Sequence, residues 1–313
     1  MTGRAAAAAA VILALADLFA AGQQPTFRSR TDAVLVDVQV TERGQPVRGL
    51  TAADFELTDS GVRQEVEVLS FADVPVSLLL ALDLSESVEG EPVRGLKQAA
   101  HAALDALGPD DQAALLGFAD RVVRVSDWTR DRADLGARID SLETGGWTAL
   151  RDAVFAAVAM REQAAGRVVV LVFSDGVDTR SWLDVRTVID TALRSDVVIT
   201  GVSVAEERRP TGGRSARLGF GQDAAVRRWF DAEATLFPYA FLDRLAGETG
   251  GELLRVDSDR DLAGAFRQIV TDFKTRYLLM FTPRGVPATG WHPIDVRVPG
   301  RRAELRARRG YFR

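Results

Sequence analysis

Three short runs of oxygen-bearing residues stand at the ends of apolar stretches, and their types suit the holding of a hard divalent cation. The run Leu78 to Leu82 ends in Asp83-Leu84-Ser85-Glu86-Ser87, the run Val168 to Phe173 ends in Ser174-Asp175-Gly176, and Gly145-Gly146-Trp147-Thr148 comes just before a helical pattern. Alternate positions of the first run can face one point. Neighbouring parallel strands release their chains at one sheet edge, so Asp83, Ser85, Ser87, Thr148 and Asp175 can converge there. Carboxylate and hydroxyl oxygens suit magnesium or manganese, which prefer oxygen ligands in octahedral geometry and keep several waters. Two carboxylates formally balance a divalent charge while hydroxyls donate weakly, so the ion stays electrophilic toward an incoming carboxylate. That chemistry is binding rather than turnover. Taken singly, each Ser, Thr or Asp after a strand is more often a helix cap or a turn former than a ligand. The ordered combination of all three runs carries the metal reading.

The elements that must position these residues follow from hydrophobic periodicity. Leu78 to Leu82, Val168 to Phe173 and Val197 to Val204 lack polar alternation, as strands buried on both faces do. Between them Val93, Leu96, Ala100, Leu104 and Leu107 recur at helical spacing, with Pro92 in the first turn and Gly108-Pro109 as a stop. Leu150, Val154 and Val158 mark a second helix and Val185, Ile189 and Leu193 a third, which together predict a doubly wound, mostly parallel α/β sheet. Ala113 to Phe118 and Arg121 to Val125 are too close in sequence for a crossover and predict an edge hairpin. Helical order returns at Tyr239 to Ala246, a strand at Glu252 to Val256, and a last helix over Leu262, Phe266, Ile269 and Phe273.

On both sides of this pattern the grammar is β. Val34, Val36, Val38 and Val40 alternate, with turns at Arg43-Gly44 and Ser60-Gly61, and Tyr277 to Phe281, Ile294 to Val298 and Ala303 to Ala307 follow the last helix. The expected organisation is a signal peptide over 1–22, a β segment over 23–75, the α/β domain over 76–275 with a mobile loop at 206–223, and a C-terminal β segment over 276–313. The two β segments are expected to pack together as a β-sandwich-like module, since each alone would expose its edges. The signal reading rests on Arg4, the apolar run Ala5 to Leu15, and the small residues Ala20-Ala21-Gly22. Asp17 keeps the run below the length of a membrane span. No stable span is expected after cleavage, and the localisation is exported: periplasmic, secreted or cell-surface.

Composition narrows the function classes. The 313 residues are 47% hydrophobic and 27% charged, a globular balance, and the net charge of -5 offers no basic face for nucleic acid. Cysteine is absent, which removes disulfides and the common zinc patterns, and two histidines, His101 and His292, leave little material for histidine-based catalysis. His101 reads as a helix-surface residue and His292 as a strand-start residue. The arginines at 301, 302, 306, 308, 309 and 313, alternating with Ala303, Leu305 and Ala307, read as a solvated strand face. Glu86, Glu89 and Glu91 read as acids favoured near a helix start. Trp147 and Trp182 fall beside the inferred ion and, if exposed, would form an apolar rim for a partner.

The D-x-S-x-S, Gly-Gly-x-Thr and S-D-G runs, in this order, resemble the von Willebrand factor A superfamily, whose metal-ion-dependent adhesion site has this three-part signature. The resemblance spans about Val76 to Lys274. It implies that Ser85, Ser87 and Thr148 ligate the ion, that Asp83 and Asp175 act directly or through water, and that a partner's acidic residue takes the sixth position. The flanks GLTAADFELTDSG, TGWHPIDVRVPG and RARRGYF look like those of bacterial exported proteins with an A-related domain, of acidobacterial type. Glu86 and Trp147 depart from the small residues usual at their positions. The resemblance implies a non-enzymatic binding or adhesion protein whose partner is a protein presenting a carboxylate. The alternatives are a magnesium-dependent phosphoryl-transfer hydrolase of haloacid dehalogenase type with Asp83 as nucleophile, or an intracellular A domain coupled to an ATPase. The first lacks its second Asp, since Ser85 stands two residues on, and the signal-like N-terminus argues against the second.

Overall fold

The computed structural model describes residues 33–69, 74–174, 178–204 and 239–313. The signal-peptide segment, the 206–223 loop and Asp175 lie outside the described residues. In chain order, β1 (Val34–Glu42), β2 (Gln45–Pro46), β3 (Glu56–Asp59), β4 (Val62–Gln64) and β5 (Val66–Leu69) come first. The α/β part runs β6 (Val76–Asp83), α1 (Glu91–Asp105), β7 (Gln112–Phe118), β8 (Val122–Thr129), α2 (Arg132–Asp140), α3 (Leu150–Ala159), β9 (Arg167–Phe173), α4 (Val185–Arg194), β10 (Val198–Val204), α5 (Ala240–Thr249), β11 (Leu253–Val256) and α6 (Leu262–Lys274). The chain closes with β12 (Tyr277–Phe281), β13 (Trp291–Arg297), β14 (Glu304–Arg306) and β15 (Gly310–Phe312).

The α/β sheet has the order β11-β10-β9-β6-β7-β8, parallel throughout except for the antiparallel β7–β8 pair at one edge. Every residue of β6 and β9 is buried, because helices cover both faces. Leu78, Leu80, Leu82, Val169, Leu171 and Phe173 meet the apolar sides of α1, α2 and α6. Leu79, Ala81, Val168, Val170 and Val172 meet α3, α4 and α5. From β6 the chain winds outward through β7 and β8, whereas from β9 it winds the other way through β10 and β11. The strand order therefore reverses between β6 and β9, and the crevice beyond their carboxyl ends is where an open α/β sheet takes ligands.

The remaining strands form an antiparallel sandwich. One sheet has the order β14-β1-β12-β5, with β2 on β1, and the other has the order β15-β13-β3-β4. Val36, Val38, Val40, Tyr277, Leu279 and Phe281 of the first sheet share a core with Phe55, Leu57, Val298 and Tyr311. Alternation along β1 then sends Asp37 and Gln39 to the other face, where they meet the α/β domain. Arg167 donates to Asp37 at 2.8 Å, and Arg276 donates to the Gly250 carbonyl at 2.7 Å and to Gln39 at 3.4 Å. Both guanidinium groups lie against the Phe273 ring, 4.9 Å and 5.5 Å from its centre. Gly250 ends α5 at a φ of 85°, and a Cβ there would sit 2.6 Å from the Arg308 nitrogen. Glycine alone lets the C-terminal segment pass so close.

Two sequence readings gain detail here. The C-terminal arginines are not simply a solvated face: Arg308 donates to the Leu193 carbonyl at 2.8 Å, Arg309 lies 3.8 Å from Glu248, and Arg306 pairs with Glu252. Of these arginines Arg308 turns into the fold against α4, whereas Arg301, Arg302, Arg306, Arg309 and Arg313 are exposed, as alternation suggests. His292 stands at the start of β13 but is wholly buried. Its Nδ1 lies 2.9 Å from Asp59, whose other oxygen accepts the Tyr311 hydroxyl at 2.7 Å. Burial first, and then that bond to the carboxylate, raise the Tyr311 pKa.

Candidate functional site

The site grows from the turn that ends β6. Asp83 is the last strand residue and is fully buried. Its Oδ1 accepts the Ser85 N–H at 3.0 Å, an Asx-type closure that turns the chain back on itself. Its Oδ2 accepts the Ser174 hydroxyl at 2.7 Å, which ties the end of β6 to the end of β9 across the point where strand order reverses. The next alternate residues follow the same turn: Ser85 Oγ and Ser87 Oγ are 2.9 Å apart, with Ser85 buried and Ser87 exposed.

A second loop is stitched to this turn through its backbone. Gly145 donates to the Leu84 carbonyl at 2.8 Å, and Glu86 donates to the Gly146 carbonyl at 3.0 Å. Gly146 has a φ of 86°, and a Cβ on it would lie 2.6 Å from Asp120 Oδ2, so both conformation and space require glycine. Asp120 Oδ1 then accepts the Trp147 N–H at 2.9 Å. Thr148, 5% exposed, follows at the mouth of α3.

The chain from Asp178 onward is held by the same helix. Thr179 and Arg180 donate to the Thr148 carbonyl at 2.9 Å and 3.0 Å, and Thr148 donates to the Thr179 hydroxyl at 3.0 Å. The residue before α3, Ala149, has no side chain able to cap it. Asp178 supplies the missing acceptor from outside, taking the Arg151 N–H at 2.8 Å and pairing with its guanidinium at 3.1 Å. Asp152 returns the favour by accepting the N–H groups of Trp182 and Leu183, each at 3.0 Å.

The structure thus brings Asp83, Ser85 and Ser87 into one hydrogen-bonded turn and sets Thr148 on the loop bonded to it. Asp175 lies outside the described residues, directly after Ser174. Sequence reasoning did not single out Ser174, Asp120, Asp152 or Asp178, which hold these loops. Their partners lie 27 or more residues away, and nothing local to them signals the pairing. Trp147 and Trp182 are 63% and 93% exposed.

These donors fit a small hard cation. Among the described residues no group of three or more His, Cys, Asp or Glu forms, so the chemistry available is hydroxyl oxygen with a carboxylate beside it. Magnesium binds oxygen at about 2.0–2.1 Å in an octahedron, whose neighbouring ligands are then about 2.9 Å apart. The Ser85 and Ser87 hydroxyls, hydrogen-bonded to each other at 2.9 Å, are close enough to take neighbouring positions of such an octahedron. Residues Ser85, Ser87 and Thr148 would hold the ion, with Asp83 behind them.

No curated protein matches the chain. Among solved structures, a von Willebrand factor type A protein from Catenulispora acidiphila has a TM-score of 0.52 and 12% identity, over 89% of this chain and 73% of that one. The conserved hypothetical protein BatB from Bacteroides thetaiotaomicron has a TM-score of 0.46 and 16% identity, over 63% of this chain and 98% of that one. Proximal thread matrix protein 1 from the mussel byssus, with a zinc-occupied MIDAS motif, has a TM-score of 0.49 and 17% identity, over 68% of this chain and 49% of that one. Residues 78–177 match the profile described as von Willebrand factor type A domain. With that match lying on the doubly wound sheet and its switch point, the α/β part of this chain has the fold of a von Willebrand factor type A domain.

Proposed function

We propose that this chain is an exported, non-enzymatic binding protein that engages a carboxylate of a protein partner through a magnesium or manganese ion. Ser85, Ser87 and Thr148 hold the ion, and Asp83 and Asp175 act on it directly or through water. When bound, the ion supplies an electrophilic position for the partner's acid. The chain's own residues orient it: Asp83 fixes the serine turn through the Ser85 N–H, and Gly145 and Gly146 fix the threonine loop to that turn. The observation that carries the reading is the 2.9 Å pairing of Ser85 and Ser87 hydroxyls at the reversal of strand order. Export rests on the N-terminal sequence pattern. Among the described residues no helix is long and apolar enough to cross a membrane.

The hydrolase alternative is weaker on the same geometry. A nucleophilic carboxylate must be reached by substrate, whereas Asp83 is fully buried with an oxygen on each of Ser85 N–H and the Ser174 hydroxyl. The test pairs two assays on the full chain: retention of envelope proteins with magnesium, with EDTA, and with magnesium restored, and a phosphatase screen with magnesium. Reversible, magnesium-dependent retention that Ser87→Ala abolishes supports the proposal. Phosphatase turnover lost in Asp83→Asn would replace it with the hydrolase.

A further inference from the structure

Glu86 and Asp120 flank one glycine at the rim of the site. The Glu86 backbone N–H donates to the Gly146 carbonyl, and the Asp120 carboxylate lies 2.6 Å from where a Cβ on Gly146 would stand while accepting the Trp147 N–H. Both side chains are exposed, and neither forms an ion pair among the described residues. Glu89 and Glu143, likewise exposed, extend the acidic ground on either side of the stitched loops. Against these stand the exposed cations Arg121, next to Asp120, and Arg180, whose backbone is held by the Thr148 carbonyl. The indole of Trp147 is 63% exposed between Gly146 and Thr148.

A bare acid approaching an ion set in this rim meets like charge at Glu86 and Asp120 before it reaches the metal. Like-charge juxtaposition suppresses a partner, and complementary charge admits one. The Trp147 face favours a cation as well, since an exposed indole attracts Lys or Arg.

We infer that the partner segment taken at this edge carries its ion-seeking acid beside a Lys or Arg, the cation meeting Glu86 and Asp120 across Trp147. This rests on the ion-dependent reading above and adds the charge selection to it. Bare acidic segments are rejected, so a highly acidic protein surface is a poor ligand even though the ion seeks a carboxylate.

The test uses the full chain and two synthetic glycine-flanked peptides that differ at one position, Lys-Asp in one and Glu-Asp in the other. Binding is measured in magnesium at low salt, by tryptophan fluorescence, alongside calorimetry of magnesium alone. The Lys-Asp peptide is expected to bind roughly tenfold more tightly, a preference that shrinks with added salt. The Glu86→Gln/Asp120→Asn variant, which keeps an acceptor for Trp147, should still bind magnesium, though more weakly, and at saturating magnesium should lose most of the preference. Equal affinity for the two peptides, or a preference unchanged in the variant, overturns the inference. If magnesium binds and neither peptide does, the partner class is wrong and the ion reading stands. If magnesium itself does not bind, both fall.

Discussion

Arg167, the first residue of β9, and Asp37, in the middle of β1, lie 2.8 Å apart with side chains 3% and 8% exposed, so an ion pair is buried between the α/β domain and the sandwich. Arg276 joins them as a second buried cation. Burial raises the Asp37 pKa above 3.8 in spite of both arginines, and burial lowers that of Arg276 to about 10. Both shifts run against the charged forms, so desolvation outweighs attraction and the cluster orients the two parts more than it stabilises them. Asp37→Ala should cost about 3 kcal/mol, because it leaves the buried Arg167 guanidinium without its carboxylate. Replacing the pair together, Asp37→Leu with Arg167→Met, should recover most of that loss in urea unfolding. A double variant no better than the single one would contradict the orientation argument.

Acid should loosen the fold through other carboxylates. Burial opposes ionisation of Asp111, but hydrogen bonds from Lys274, Val76 and Gly108 outweigh it and lower its pKa. Burial likewise opposes Asp196, and the Arg161 side chain outweighs it. A carboxylate with a depressed folded pKa contributes stability above the unfolded value of 3.8, and that contribution is lost as pH falls through the folded value. Asp37, with its raised pKa, runs the other way and loses its contribution as pH rises through its folded value. Urea midpoints should therefore drop below about pH 4, and Asp111→Asn should flatten that drop.

Gly146→Ala should disable the site without unfolding the chain. The new Cβ meets Asp120 Oδ2 at 2.6 Å on a backbone at positive φ, at a cost of about 1–3 kcal/mol. Because the Gly146 carbonyl holds Glu86, the strain passes directly into the serine turn. Calorimetry should show weakened magnesium binding, and circular dichroism a native spectrum.

Trp147→Ala separates ion from partner. The indole is exposed and its backbone N–H, not its ring, is bonded to Asp120. Magnesium affinity should be nearly unchanged, while a partner captured in magnesium should lose roughly 1–3 kcal/mol of affinity. A variant that binds partner normally removes the apolar rim from the account.

The doubly wound α/β pattern was legible because burial on both faces leaves unbroken runs such as Val168 to Phe173, and the places of the Asp83–Ser87 and Gly145–Thr148 runs were legible because one follows a strand and the other precedes a helix. Helix α2 was not, since its buried positions are only Leu135, Gly136 and Ile139, too few to make a period. Arg167 precedes an apolar run and reads as a strand boundary, whereas its neighbours across the fold, Asp37 and Arg276, are 130 and 109 residues away. His292 is hidden for the same reason, as its partner Asp59 is 233 residues distant. Local pattern reports burial and periodicity; it carries no address for a long-range polar partner.

The most direct measurement is a calorimetric titration of magnesium into the full chain, into Ser85→Ala and into Thr148→Ala, with circular dichroism showing each variant folded. The account predicts saturable binding to the unaltered chain, and at least roughly tenfold weaker binding in each variant, since each removes a hydroxyl from the ion. No binding of magnesium or manganese to the folded chain, or equal binding by all three proteins, would contradict it.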